Sequence, residues 1–332
     1  MTWLVQPRLI NDVFSDPGLL IDFRFGRRAI LFDLGDIHGL SSREILRISH
    51  VFVSHAHMDH FAGFDRLLRL LLGRPAPLHL VGPEGFIDRV RHKLGGYTWN
   101  LLDQSSAEFS ILVMEFAGDR LSRACRFGAR QAFAPHSAAA PGLPPGIVLD
   151  EEAFCIEASV LDHGIPSLAF AFQEKLRINV HKAGLDALGL PVGPWLNEAK
   201  RAMRRGGADD APIFVAPDRP VALGVLKAKA LRMITGQRIA YVVDAAYHPA
   251  NIERIVTLAR HADQLFIEAA FLEEDAAIAG RRRHLTAAQA GRIARAAAAV
   301  RVNPFHFSPR YLDREDRLHR EVELAWRGGD PP

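Results

Sequence analysis

A chain of 332 residues is long enough to bury a large core in one α/β domain or in two closely packed halves, and 48% apolar against 24% charged residues is the balance of a soluble globular protein. The longest apolar runs fall well short of the ~20 residues a bilayer span needs, and residues 1–11 lack the basic start and apolar run of a signal peptide, so no membrane role and a cytoplasmic location are expected. A net charge of +3 permits a polyanionic partner without demanding one, and Cys125 and Cys155, far apart in the chain, suggest neither a disulfide framework nor a zinc ribbon.

In chain order, residues 19–23, 29–34, 48–54 and 78–81 are short aliphatic runs bounded by Gly, Pro or charge, and they predict strands. Phe61, Phe64, Leu68 and Leu71 recur at helical spacing with Asp65, Arg66 and Arg69 on other faces, which predicts an amphipathic helix starting directly after His60. Residues 138–146 form an Ala/Pro/Gly turn. Residues 159–161, 167–173, 238–244, 264–271 and 301–307 predict further strands, with helices at 250–261 and 286–300. Thr286 and Gln289 have capping-box spacing, which leaves His284 in the loop just before that helix. Strands alternating with helices argue for α/β layers. Residues 175–221 carry Gly189, Pro191, Gly193, Pro194 and the basic run Lys200, Arg201, Arg204, Arg205; they read as an arm inserted in a single domain spanning 1–332.

The chemistry concentrates in Ser54-His55-Ala56-His57-Met58-Asp59-His60. Imidazoles at i and i+2 at the end of an extended segment point the same way, and the following Asp59 and His60 can turn into a neighbouring coordination sphere. Neutral imidazole and carboxylate are zinc ligands, and two ions ~3.5–4 Å apart can activate a hydroxide and clamp an oxyanion. A His-rich surface turn is the plainer alternative, but the motif sits between a buried strand and an amphipathic helix. Three strand-end residues can complete such a site: His163 before Gly164-Ile165-Pro166, Asp244 after residues 239–243, and His306 within Phe305-His306-Phe307. Taken singly, each reads as readily as a hydrogen-bonded loop residue or a cap; their joint placement raises all three.

These residues, with Ile30-Leu31-Phe32-Asp33-Leu34-Gly35, Asp162-His163-Gly164-Ile165-Pro166-Ser167, Ile267-Glu268-Ala269-Ala270, His284-Leu285-Thr286 and His306-Phe307-Ser308-Pro309-Arg310-Tyr311, make residues 29–313 resemble the ribonuclease Z branch of the metallo-β-lactamase superfamily. The resemblance implies an αββα four-layer sandwich of two mixed β-sheets flanked by helices, and a two-metal phosphodiesterase that cleaves the 3′ trailer from precursor tRNA. It implies two Zn2+ per chain (Mn2+ or Fe2+ could use the same ligands) and a homodimer. It further implies that His55, His57 and His163 bind one ion, that Asp59, His60 and His306 bind the other, and that Asp244 bridges them. Asp33 would orient the histidine loop. Asp59, Glu268 and His284 would be the catalytic residues, with Glu268 holding the His284 imidazole as it protonates the leaving oxygen. The arm would grip the body of the tRNA, and Arg281-Arg282-Arg283 would lie near the scissile phosphate.

The resemblance breaks at its RNA-reading edges. No basic loop for the RNA 3′ end is visible in residues 7–26, Ile267 and Ala270 stand where the family carries histidine and threonine, and Asp33 is followed by Gly35-Asp36-Ile37-His38. A hydrolase acting on small phosphodiesters such as cyclic nucleotides has the same core. A β-lactamase or thioesterase of this fold lacks a reason for Glu268 and His284, and a non-catalytic, metal-containing RNA-binding protein has no reason to keep every ligand.

Overall fold

Runs of aliphatic residues covered on both faces carry the chain into two sheets. In the computed structural model, which describes residues 3–175 and 177–329, the first sheet takes its strands in chain order. They are β1 (Val5–Leu9), β2 (Leu19–Phe23), β3 (Ala29–Phe32), β4 (Ile48–Phe52), β5 (Leu78–Pro83), β6 (Ser110–Ala117), β7 (Arg120–Gly128) and β8 (Pro135–Ala138). Pairing is parallel from β3 to β6 and antiparallel on either side.

Next come β9 (Ile147–Asp150), β10 (Phe154–Asp162) and β11 (Pro166–Glu174), then β12 (Arg177–Val180), β13 (Pro212–Ala216), β14 (Arg219–Ala222) and β15 (Leu231–Ile234), and finally β16 (Arg238–Val242), β17 (Gln264–Glu268) and β18 (Val302–Phe305). The second sheet has the order β18-β17-β16-β11-β10-β9, with β16, β17 and β18 parallel to one another and β11 antiparallel to β16.

Side-chain alternation decides what each face meets. Val51 on β4 and Val53 just beyond it join Leu67, Leu71 and Val90 from the helices Phe64–Leu71 and Phe86–Gly95, while Phe52 points the other way, into the space between the sheets. There Phe32, Phe116, Phe170, Phe172 and Tyr241 complete an aromatic core, with the Phe32 and Phe170 rings stacked at 5.5 Å. Each such fully buried ring stabilises the fold by roughly 1.5–3 kcal/mol relative to exposure. The outer face of the second sheet buries Ala240, Val242, Leu265 and Ile267 against Ile255, Ile293 and Val322 of the helices Pro249–Leu258, Ala287–Ala296 and Glu315–Arg327. Helix, sheet, sheet and helix make the expected four αββα layers. Among the described residues, no helix is long and apolar enough to cross a membrane.

Two local expectations change. The helix after His60 is in fact two pieces, a turn Met58–Phe61 that includes Asp59 and His60, and then Phe64–Leu71. The His60 carbonyl accepts the Leu34 N–H at 2.9 Å instead of extending the helical ladder, which staples the loop to the end of β3. A Cβ on Gly35 would strike the Asp59 backbone carbonyl, so only glycine lets these two segments approach.

Residues Glu174–Gly236 form a unit of their own. Its apolar cluster gathers Trp195, Leu196 and Ala199 with Leu223, Leu226 and Leu231. It extends past residue 221 because β15 returns to pair with β12, Asn179 opposite Arg232.

Candidate metal centre

The inner face of β4 continues past Phe52 to Ser54, and there the polar chemistry begins. Asp33, just beyond β3 and fully buried, accepts four hydrogen bonds: from Ser54 N–H at 2.6 Å, and from the Ser54 hydroxyl, His60 Nδ1 and the Tyr241 hydroxyl at 2.9 Å each. A buried carboxylate is tolerable only when its lone pairs are used in this way. Ser54 Oγ also lies 3.0 Å from His55 Nδ1, and having donated to Asp33 it is left to accept from that ring. His55 is thereby assigned the Nδ1–H tautomer with Nε2 free, and His60 donates its Nδ1–H to Asp33. Asp33 thus occupies the loop-orienting place expected of it, while Tyr241 and Ser54 are supports that strand periodicity does not announce; a tyrosine in an otherwise apolar buried strand is the only signal.

Around this anchor the seven expected donors converge. His55, His57, His163 and Asp244 form one group, and Asp59, His60 and His306 another. Asp244 lies between them: its Oδ2 is 3.5 Å from His55 Nε2, 3.5 Å from His60 Nε2 and 3.4 Å from His163 Nε2, and its Oδ1 is 3.1 Å from His306 Nδ1. Asp59 Oδ2 stands 3.4 Å from the Nε2 atoms of both His60 and His306. Most of these gaps are long for hydrogen bonds but match the ~3.3 Å separation of two ligands that each sit ~2.0–2.1 Å from a shared tetrahedral ion. Four buried atoms, His55 Nε2, His60 Nε2, Asp244 Oδ1 and His306 Nδ1, have no hydrogen-bond partner. Buried polar atoms left without a partner within these two groups are what bound ions would satisfy, so the residues present fit divalent metal.

The backbone is bent to achieve this. Asp33, Asp244 and His306 all have left-handed φ, at 58°, 46° and 58°. For a residue with a Cβ that conformation costs about 1–2 kcal/mol, and such strain gathers at functional sites.

Electrostatics divides the centre. Burial and the neighbouring imidazoles push His55 down to about 2, and burial likewise lowers His57, so both rings are neutral. Burial also works against the charged forms of His60 and His306, but the Asp244 carboxylate outweighs it and holds both well above the usual imidazole range. Asp244, despite complete burial, is held well below the carboxylate range by His306 and His60.

Glu268 and His284 form a dyad beside this cluster. Glu268 Oε2 is 2.8 Å from His284 Nδ1, and its Oε1 accepts the Ala245 N–H at 2.7 Å, fixing the carboxylate between the Asp244 loop and the imidazole. Burial would make His284 less basic, but Glu268 more than restores it and raises its pKa. Both residues also fall within a possible metal-binding group with Asp244 and His306. His284 Nδ1 and Glu268 Oε2 are already spent on each other, which favours the dyad over two more ligands.

A cleft of about 430 Å³ opens over Asp59, His284 and His306, with Phe14, Ser15, Asp16, Phe271, Arg282 and Arg310 among its other lining residues. Of the three arginines at 281–283 only Arg282 lines it. Asp16, unmarked by any motif, stands on the wall contributed by residues 14–16.

No protein-family model matches the chain. Ribonuclease Z of Deinococcus radiodurans is 32% identical over 297 residues, covering 88% of this chain and 86% of that protein. Ribonuclease Z of Nocardia farcinica is 30% identical over 315 residues, covering 92% and 86%. Among solved structures, the short form of human tRNase Z superposes with a TM-score of 0.53 at 18% identity, covering 92% of this chain and 93% of that one. A metallo-β-lactamase fold protein from Bacillus subtilis gives 0.53 at 15% identity, covering 95% and 88%. At these identities the structures speak to the fold alone.

Proposed function

The chain belongs to the ribonuclease Z family, and from that premise we propose that it is a metal-dependent endoribonuclease that cuts the 3′ trailer from precursor tRNA. What carries this reading is the seven-donor cluster around Asp244 with a carboxylate–imidazole dyad at its side.

In this reading His55, His57 and His163 hold one Zn2+, Asp59, His60 and His306 hold a second, and Asp244 lies between them, giving two ions per chain. When bound, the ions supply the activated water and the positive charge that a phosphodiester's non-bridging oxygens require. The remaining need is an acid for the departing ribose oxygen. His284 answers it: Glu268 holds Nδ1 and keeps the ring protonated, leaving Nε2 to give its proton as the P–O bond breaks. Arg282 and Arg310 in the cleft offer guanidinium groups to the flanking phosphates, and exposed Arg201, Arg204 and Arg205 on the inserted arm offer the same to the tRNA body. A homodimer in the cytoplasm, each chain one metallo-β-lactamase domain with its arm, belongs to the same reading.

One observation favours a second reading. The cleft wall at residues 14–16 carries Asp16 where the resemblance calls for a basic loop, and a carboxylate there opposes a strand that brings several phosphates. A small cyclic phosphodiester brings only one. The deciding experiment offers the metal-loaded protein a precursor tRNA with a 3′ trailer, alongside 2′,3′-cyclic nucleotides and an Asp59→Ala control. Trailer release that is lost in Asp59→Ala supports the endoribonuclease. Turnover of the small diester alone overturns it.

A further inference from the structure

Arg283 ends the helix Ala276–Arg282 in a left-handed conformation, φ 60° and ψ 40°, a position where glycine or asparagine is at ease and arginine is not. Its carbonyl accepts a hydrogen bond from His163 Nδ1 at 2.8 Å, and the next residue is His284, whose ring centroid lies 4.9 Å from that of His163. The arginine side chain lies across Gly164: a Cβ there would meet its Nη1 at 2.9 Å, and Gly164 itself needs φ +82°. The same Nη1 is 3.4 Å from Asp162 Oδ1, which also accepts the Gly164 N–H at 2.6 Å.

Asp162 is in turn tied to the Asp244 loop. Its backbone N–H donates to Asn251 Oδ1, its carbonyl accepts from Asn251 Nδ2 and from Ala246 N–H, and Oδ2 lies 3.4 Å from His248 Nε2. About half of each side chain in the Arg283–Asp162 pair is exposed, so the pair adds little to folding stability. Its geometry has another use.

We propose that Arg283 is a positioning residue for both working histidines. Its carbonyl locks His163 in the tautomer that leaves Nε2 for an ion, and its side chain, held by Asp162 over Gly164, clamps the His163 turn to the backbone that presents His284. This rests on the metal-dependent phosphodiesterase reading above.

Three variants of the full chain test it. Arg283→Gly keeps the carbonyl and relieves the backbone while deleting the side chain, Arg283→Lys keeps the charge, and Asp162→Asn keeps an acceptor for Gly164 but loses the charge. Zinc affinity is read by competition with a chromophoric chelator. Turnover is compared on an RNA and on bis(nitrophenyl) phosphate, whose leaving group departs without a proton. Arg283→Gly and Asp162→Asn should bind zinc about tenfold more weakly and lose about tenfold more activity on RNA than on the nitrophenyl ester. Arg283→Lys should recover most of both. Zinc affinity and substrate ratio within about twofold of the parent in both Arg283→Gly and Asp162→Asn overturn the proposal, as do equal losses on both substrates with zinc binding unchanged, the mark of a merely structural role. If the parent turns over neither substrate, the functional reading falls, while the zinc measurement still decides whether Arg283 positions His163.

Discussion

The two sheets supply the centre in opposite ways. The first delivers His55, His57, Asp59 and His60 from one loop braced by one buried carboxylate, Asp33. The second delivers His163, Asp244, Glu268 and His306 from the ends of four strands, with His284 placed by a helix C-terminus; left-handed backbone sets Asp244 and His306, the Arg283 carbonyl holds His163, and the Ala245 N–H holds Glu268. A shared brace makes the first set vulnerable at a single point. Several devices should make the second set fail in parts, with His163 and His284 failing together through Arg283.

The sharpest break on the first side is Asp59→Ala. Removing a proposed ligand should weaken metal retention by more than the roughly 10–100-fold typical of an outer support, and activity should fall with it; metal analysis after dialysis checks this. Asp33→Asn comes next. It leaves every ligand in place but removes the charge that gathers four hydrogen bonds, so metal affinity should drop about 10–100-fold and unfolding free energy by on the order of 3 kcal/mol. Unchanged metal affinity in that variant would deny the shared brace.

On the inner face of β4, two residues before Phe52, His50 stacks on His79 at 4.5 Å, and burial pushes His50 down to about 2. A depressed folded pKa means that the unfolded chain takes up the proton first. The contribution of neutral His50 is therefore complete above about pH 6.5 and is lost as the pH falls below it, by up to about 1.4 kcal/mol per pH unit. Chemical denaturation at pH 7.5 and 5.0 should show a smaller acid loss in His50→Phe than in the parent. The mildest test belongs to the second sheet. Thr286→Ala removes the capping box of Ala287–Ala296, in which Thr286 Oγ1 accepts the Gln289 N–H at 3.1 Å, and should cost about 1 kcal/mol of stability with metal content intact.

The same contrast explains what could be read without coordinates. Four donors within six residues are legible because their spacing is local, and the periodicity of Phe61, Phe64, Leu68 and Leu71 marks the helix they precede, although the break at residues 62 and 63 depends on the tertiary bond from Leu34 N–H to the His60 carbonyl. His163, Asp244 and His306 are each one polar residue at a strand end, and only their order along the chain, matched to a family, unites them. Tyr241 and Asp33 meet across 208 positions of sequence, and Arg283 acts through a backbone carbonyl that any residue would carry. Asp16 reaches the cleft on an irregular segment with no periodicity to reveal it. The arm's far boundary was equally hidden, since it is set by the pairing of β15 with β12.

The most direct test of the account is His284→Ala, assayed for bound metal and for single-turnover release of a 3′ trailer from precursor tRNA. The account expects metal content equal to the parent's and cleavage slowed by about 10²–10⁴-fold, the share of a general acid. Undiminished cleavage would contradict the role of the dyad, and metal lost together with cleavage would make His284 a ligand instead.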